Sequence, residues 1–190
     1  MQPPLPPAPG SDAYLALDFA NTAIALPGGQ YVDLLGSPAS VNGWLTAHNL
    51  APDNADVQEL CATQLRALRE HVRSLFAARI AGVPALPAAL TAVNDALTQV
   101  PTAALLRWDD SDGPYRAVPC PTNQILEHAL ATISASAADL LTGPEAEALT
   151  ACEATSCNRY LIRHGRRHWC STRCGDRTRA ARAYARRTTR

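Results

Sequence analysis

The 190-residue chain contains no lysine, so every fixed cation along it is an arginine guanidinium. GC-rich coding explains that bias together with the plentiful alanine and proline, yet the result is a surface suited to bidentate phosphate contact. No run of 18 apolar residues is present, which argues against a membrane-spanning helix. The opening MQPPLPPAPG lacks both the basic start and the apolar core of a signal peptide, so the protein is expected in the cytoplasm, with no membrane partner. There is no phosphate-cradling glycine loop, nucleophile elbow or HExxH motif, and the chain is not expected to be an enzyme.

What is present is unevenly distributed. Before Cys152 the chain carries 6 arginines against 15 carboxylates, a balance of −9, whereas from Cys152 onward 11 arginines face only Glu153 and Asp176, a balance of +9. A formal net charge of zero thus joins an acidic body to a strongly basic tail, the asymmetry expected when one part meets a polyanion.

Residues 1–10 hold five prolines and read as a disordered, polyproline-like leader. Tyr14 onward suggests a short strand or an extended lead-in to a helix, and PGGQYVDLLGSP a loop with a brief strand. Helices are expected over Ser40–Asn49, over the long stripe carrying Val57, Cys61, Leu65, Leu68, Val72, Leu75 and Phe76 up to Gly82, over Pro87–Val100 and over Asn123–Leu141. Leu105–Val118 reads as a hairpin about an Asp-Gly turn, and PEAEALTA as a short helix opened by Pro144. The class is therefore α+β: a mostly helical domain over 11–150 with a small β-hairpin, followed by a small cysteine-rich module over 151–190. His48, His71 and His128 stand alone, and Cys61 and Cys120 read as ordinary buried or loop thiols.

The tail spaces its cysteines as Cys152-x4-Cys157, twelve residues, then Cys170-x3-Cys174. Two close pairs a dozen residues apart supply the corners of a tetrahedral zinc site, and four thiolates leave no open position for catalytic water. A redox switch of these thiols, or His164 or His168 replacing one cysteine, are the competing readings. Arg159–Arg163 is expected to pair with Arg167–Trp169 around Gly165, with Ser171 capping a helix that bears the second pair. This is a treble-clef-like arrangement in which zinc replaces a core too small to hold the module.

On a helical projection from Cys174, that residue, Thr178, Ala181 and Ala185 form a stripe facing the metal. Arg179, Arg182 and Arg186 gather on one flank, Arg173, Arg177 and Tyr184 on the other. Adding Arg166, Arg167 and Arg187 gives the candidate nucleic-acid set, with double-stranded DNA as expected partner. A solvated face compensating the zinc-thiolate charge, an RNA or ribosome partner, and a small-molecule enzyme with a structural zinc module are the alternatives.

These residues resemble a known pair of modules. Cys174-Gly175-Asp176-Arg177 is similar to the Cys-Gly-Asn-Arg signature of the CGNR zinc finger. LALDFANT (15–22), DLLGSP (33–38) and Trp44-Leu45 resemble the ABATE domain preceding that finger in a bacterial family described as stress-induced transcription regulators. The resemblance implies Zn2+ held by Cys152, Cys157, Cys170 and Cys174 and DNA bound by the tail. Asp176 departs from the family's Asn and exchanges an amide donor for a negative charge. A regulator's body needs something to sense, which makes Asp18 and Asn21 candidate ligand-pocket residues for a small-molecule effector, against the alternative that they cap a helix or hold a turn. A homodimer is compatible with the same role.

Overall fold

The computed structural model describes residues 6–53, 55–100, 104–117 and 124–188. Cys120 and the first five residues of the leader lie outside them.

The frame is α3, Glu59–Ala81, whose Leu65, Leu68, Val72, Leu75 and Phe76 recur at helical spacing, are all buried, and end at a left-handed Gly82. Against it pack α4, Pro87–Thr98, through Ala89, Val93 and Ala96, and α5, Ile125–Thr142, through Ala129, Ile133, Ala137 and Leu140. The short α1, Leu15–Ala20, crosses α3 and α5 and buries Leu17 and Phe19 completely. Tyr14 is extended, so the stretch expected as a strand or lead-in delivers one and a half turns of helix first. Ser37 and Ser40 form a capping box that starts α2, Pro38–Ala47, earlier than the periodicity indicates.

Among the described residues three small antiparallel pairs complete the α+β class: β1 (Ala23–Ala25) with β2 (Tyr31–Asp33), β3 (Leu105–Asp109) with β4 (Gly113–Ala117), and β5 (Leu149–Ala151) with β6 (Tyr160–Ile162). The β3–β4 hairpin matches the sequence reading. Two other expectations are corrected. PEAEALTA forms only a 3-10 turn, Ala146–Ala148, before becoming β5, and Tyr160–Ile162 pairs with β5 instead of with Arg167–Trp169. The reason is burial: Leu149, Tyr160 and Ile162 join the main core, while Trp169 packs beside the cysteines. Gly165 does make a left-handed turn, at φ 62°.

The last helix, α6, runs Thr172–Thr188. Cys174 is buried and Thr178 half-buried, but Ala181 and Ala185 are exposed, which shortens the expected metal-facing stripe to its first two turns. Alanine offers too little apolar area to hold the rest down.

Body and tail share one core. Asn21 donates to the Tyr160 carbonyl at 2.9 Å and accepts from its N–H at 2.8 Å. Arg73 donates to the carbonyls of Ala20 and Asn158, Tyr160 stacks edge-on against Phe76, and the Asn158 side chain accepts from Ala25 N–H. The boundary drawn at 150/151 therefore falls within β5. Part of the leader joins as well, although a free segment is expected from its prolines. Ala8 is buried, the Pro9 carbonyl accepts from Ile162 N–H, and the Pro6 carbonyl accepts from Arg159. Extended proline-rich chain leaves its carbonyls unpaired, and these find donors on the tail. Gly10, at φ 89°, is required there, because a Cβ would lie within 2.9 Å of two Ile162 side-chain carbons.

Candidate metal centre and basic helix

Each half of the cysteine set is placed by its own turn. Cys152 directly follows β5, and the chain returns through Ser156, a non-glycine residue at φ 64°, so that Cys157 N–H reaches the Ala154 carbonyl at 3.0 Å. Cys170 precedes α6 and Cys174 lies in its first turn, where Ser171 Oγ accepts from Cys174 N–H, as a cap should.

The four Sγ atoms lie within 4.8 Å of one another. Cys157 and Cys170 are 3.7 Å apart, Cys170 and Cys174 3.6 Å. A tetrahedron with zinc–sulfur bonds of about 2.3 Å has sulfur–sulfur edges of roughly 3.8 Å, whereas a disulfide needs about 2.05 Å. The residues fit zinc and do not fit disulfides. So much sulfur in one place cannot ionise freely without a cation. Hydrogen bonds from Cys157 and Cys170 draw the Cys152 thiol far below its ordinary value, while the bond to Cys152 pushes Cys157 up to about 11. Zn2+ removes that conflict and is the cofactor of this module.

Around the sulfurs lies a cationic lining. Arg159, 3% exposed, directs Nη1 to Cys170 Sγ at 3.8 Å, and Arg177 directs Nη2 to Cys174 Sγ at 3.7 Å and to the Thr155 carbonyl at 3.1 Å. Cys170 N–H points at Cys152 Sγ at 3.4 Å. Nε of both arginines is buried without a hydrogen-bond partner among the described residues, so their charge answers the zinc-thiolate centre, formally −2. Arg159 is a residue that spacing does not reveal. Arg177, expected on a DNA-facing flank, is turned largely inward.

The remaining arginines among the described residues of the tail are exposed. Arg166 and Arg167 sit exposed in the turn after β6, Arg167 Nε donating to the Trp169 carbonyl. Arg179 lies 5.6 Å over the Trp169 ring and pairs with Asp176 at 2.6 Å. Arg173, Arg182, Arg186 and Arg187 are exposed on α6. His168 pairs with Glu153 across the module instead of reaching the metal.

Asp18 and Asn21 both fasten parts of the fold together. Asp18 Oδ2 accepts from Trp44 Nε1 at 3.0 Å and lies 3.1 Å from His48 Nε2. Asn21 spends both amide atoms on Tyr160.

Fold and site define a helical body with a C-terminal zinc module built into its core. The ABATE family profile, described as "Putative stress-induced transcription regulator", matches residues 13–144, and the CGNR zinc finger profile matches 149–187. The chain belongs to the ABATE family and carries a CGNR zinc finger. Among curated proteins none matches it. No helix among the described residues is long and apolar enough to cross a membrane.

Proposed function

We propose that the protein is a DNA-binding transcription regulator in which zinc fixes the base of α6 and the exposed turns of α6 dock on the duplex. One observation carries this reading: α6 leaves the rest of the finger after Thr178 and continues in solvent with arginines and no carboxylate beyond Asp176. The exposed part from Ala180 is about 13 Å long at 1.5 Å per residue, enough to lie along a groove. Arg179, Arg182, Arg186 and Arg187 are the groove-facing set, Arg166, Arg167 and Arg173 contact phosphate from the base of the helix, and Arg177 serves the metal. The body, in the same reading, adjusts that binding through a ligand or through assembly into a homodimer in the cytoplasm.

The test is a titration of full-length, zinc-loaded protein with duplex DNA and with RNA at several salt concentrations. If about six arginines touch phosphate, the logarithmic salt slope approaches −5 and affinity drops roughly a thousandfold between 50 and 200 mM. Replacing Arg182, Arg186 and Arg187 by alanine should abolish binding while zinc and helix content stay unchanged. A slope near zero leaves only a solvated cationic helix, and preference for RNA at matched salt transfers the role to a ribonucleic partner.

A further inference from the structure

Where α3, α4 and α5 meet, near the end of α3, the helices enclose a cleft of about 390 Å³. Leu75, Val93, Leu97 and Leu141 form its floor and walls. Val83 and Leu90 also line it and are 55% and 48% exposed. Ala78, Ala85 and Ala138, also in the wall, are too short to fill the space. Apolar side chains around an unfilled volume lack dispersion partners on one side, and a small apolar guest supplies them. The volume lies in the range of small-molecule sites.

The polar groups of this cleft are few: the Arg79 guanidinium, the Asn94 amide and the Thr142 hydroxyl, which already donates to the Ala138 carbonyl. Arg79 is its one charged group, and among the described residues no carboxylate is part of the lining. The present partner of Arg79 is Glu147, at 2.5 Å, whose side chain is 87% exposed. An ion pair that open to water is weak and is readily exchanged for another carboxylate. We infer that the cleft binds a small amphipathic carboxylic acid, its apolar chain between α3, α4 and α5 and its carboxylate on Arg79 in place of Glu147.

The exchange reaches the finger. Glu147 belongs to the 3-10 turn that runs directly into β5, and the Ala148 carbonyl accepts from Arg163 N–H at the end of β6. Releasing Glu147 frees the turn from which the metal module is hung. This consequence rests on the DNA-binding reading above, whereas the binding site itself does not, and its test contains no DNA.

The experiment is calorimetric titration of the full-length zinc-loaded protein with sodium octanoate and, separately, with 1-octanol. One octanoate should bind per chain and more tightly than octanol. Glu147→Gln should strengthen octanoate about two- to fivefold, the scale of an exposed ion pair, without affecting octanol. Arg79→Gln should lower octanoate to the level of octanol. Val93→Phe should remove both, and Ala138→Leu provides a second plug should the first variant fail to fold by circular dichroism. No octanoate binding, equal affinity for acid and alcohol, or no response to Glu147→Gln would overturn the assignment.

Discussion

Asn21 meets the outer edge of β6 as a neighbouring strand would: its amide exchanges two hydrogen bonds with the backbone of Tyr160, at 2.9 and 2.8 Å, inside a buried seam. Asn21→Ala leaves a buried N–H and a buried carbonyl unpaired, a loss of about 2–4 kcal/mol. Chemical denaturation should show that loss in the unfolding of the whole chain, and hydrogen exchange at Tyr160 should accelerate. Unchanged exchange would mean that the finger keeps its place without this clamp.

Zinc removal should be felt by the body as well. Structural zinc in finger peptides contributes on the order of 10–16 kcal/mol, and the module it organises supplies Tyr160 and Ile162 to the common core. Elemental analysis of reduced protein should find one zinc per chain. Cys157→Ser should abolish it and lower the melting temperature of the helical body, where an independent appendage would leave that temperature unaltered.

Arg177 and Arg182 should separate metal retention from DNA binding. Arg177→Ala removes a donor to Cys174 Sγ and should weaken zinc about 10- to 100-fold in a chelator competition. Arg182→Ala should leave zinc affinity unchanged and weaken DNA. Equal effects of both variants on zinc would contradict the inward placement of Arg177.

Acid should destabilise the fold through two fastened carboxylates. Hydrogen bonds from Arg69 hold Asp33 below the usual carboxylate range against an opposing effect of burial. At Asp18 burial pushes upward, but the bonds with His48 and Trp44 outweigh it and the net shift is downward. A folded-state value below the unfolded one means that the stabilisation is complete at neutral pH and is lost as pH falls through the ordinary carboxylate range and below it. Burial also holds His128 below the ordinary histidine value, so the melting temperature should begin to slope as pH falls through the histidine range and then drop more steeply below about pH 5. Asp33→Asn leaves Arg69, which is 3% exposed, with only the exposed carboxylate of Glu70 as counter-charge, at a cost of up to about 3–5 kcal/mol, and should flatten the acid limb of the profile.

Asp176→Asn should raise affinity for every duplex. The ion pair it breaks with Arg179 is exposed on both sides and contributes only tenths of a kcal/mol to the fold. Its loss frees one guanidinium and removes one negative charge beside the proposed phosphate path, so the salt slope should steepen by about one. Titration of wild type and variant on the same duplex at several salt concentrations checks both effects.

The features legible in the chain were those with a local signature. Paired cysteines at short spacing announce their metal, and the stripe of α3 announces a buried helix face, because each depends on residues within a few positions of one another. The pairing of β5 with β6 has no such mark. Three-residue strands carry little periodicity, and their partners were chosen by the body's need for Leu149, Tyr160 and Ile162 in its core. Asn21 was open to a pocket reading because a backbone partner 139 residues away leaves no pattern around it. Arg159 and Arg177 turned inward for a cause that spacing cannot display, the negative charge gathered on the sulfurs. The octanoate-sized cleft is lined by the same apolar stripes that predict ordinary helix packing.

The strap formed by Pro6–Gly10 also orders events during synthesis. The Pro9 carbonyl leaves the ribosome long before Ile162, the residue whose N–H it accepts. Until that strand follows, the Pro6 and Pro9 carbonyls lack the donors that Arg159 and Ile162 supply, and the body lacks part of its own interior. A chain interrupted before Tyr160 therefore exposes the face of Phe76 and the side chain of Asn21 that are covered in the finished molecule. Such a fragment presents an opened core, the kind of surface that proteases attack.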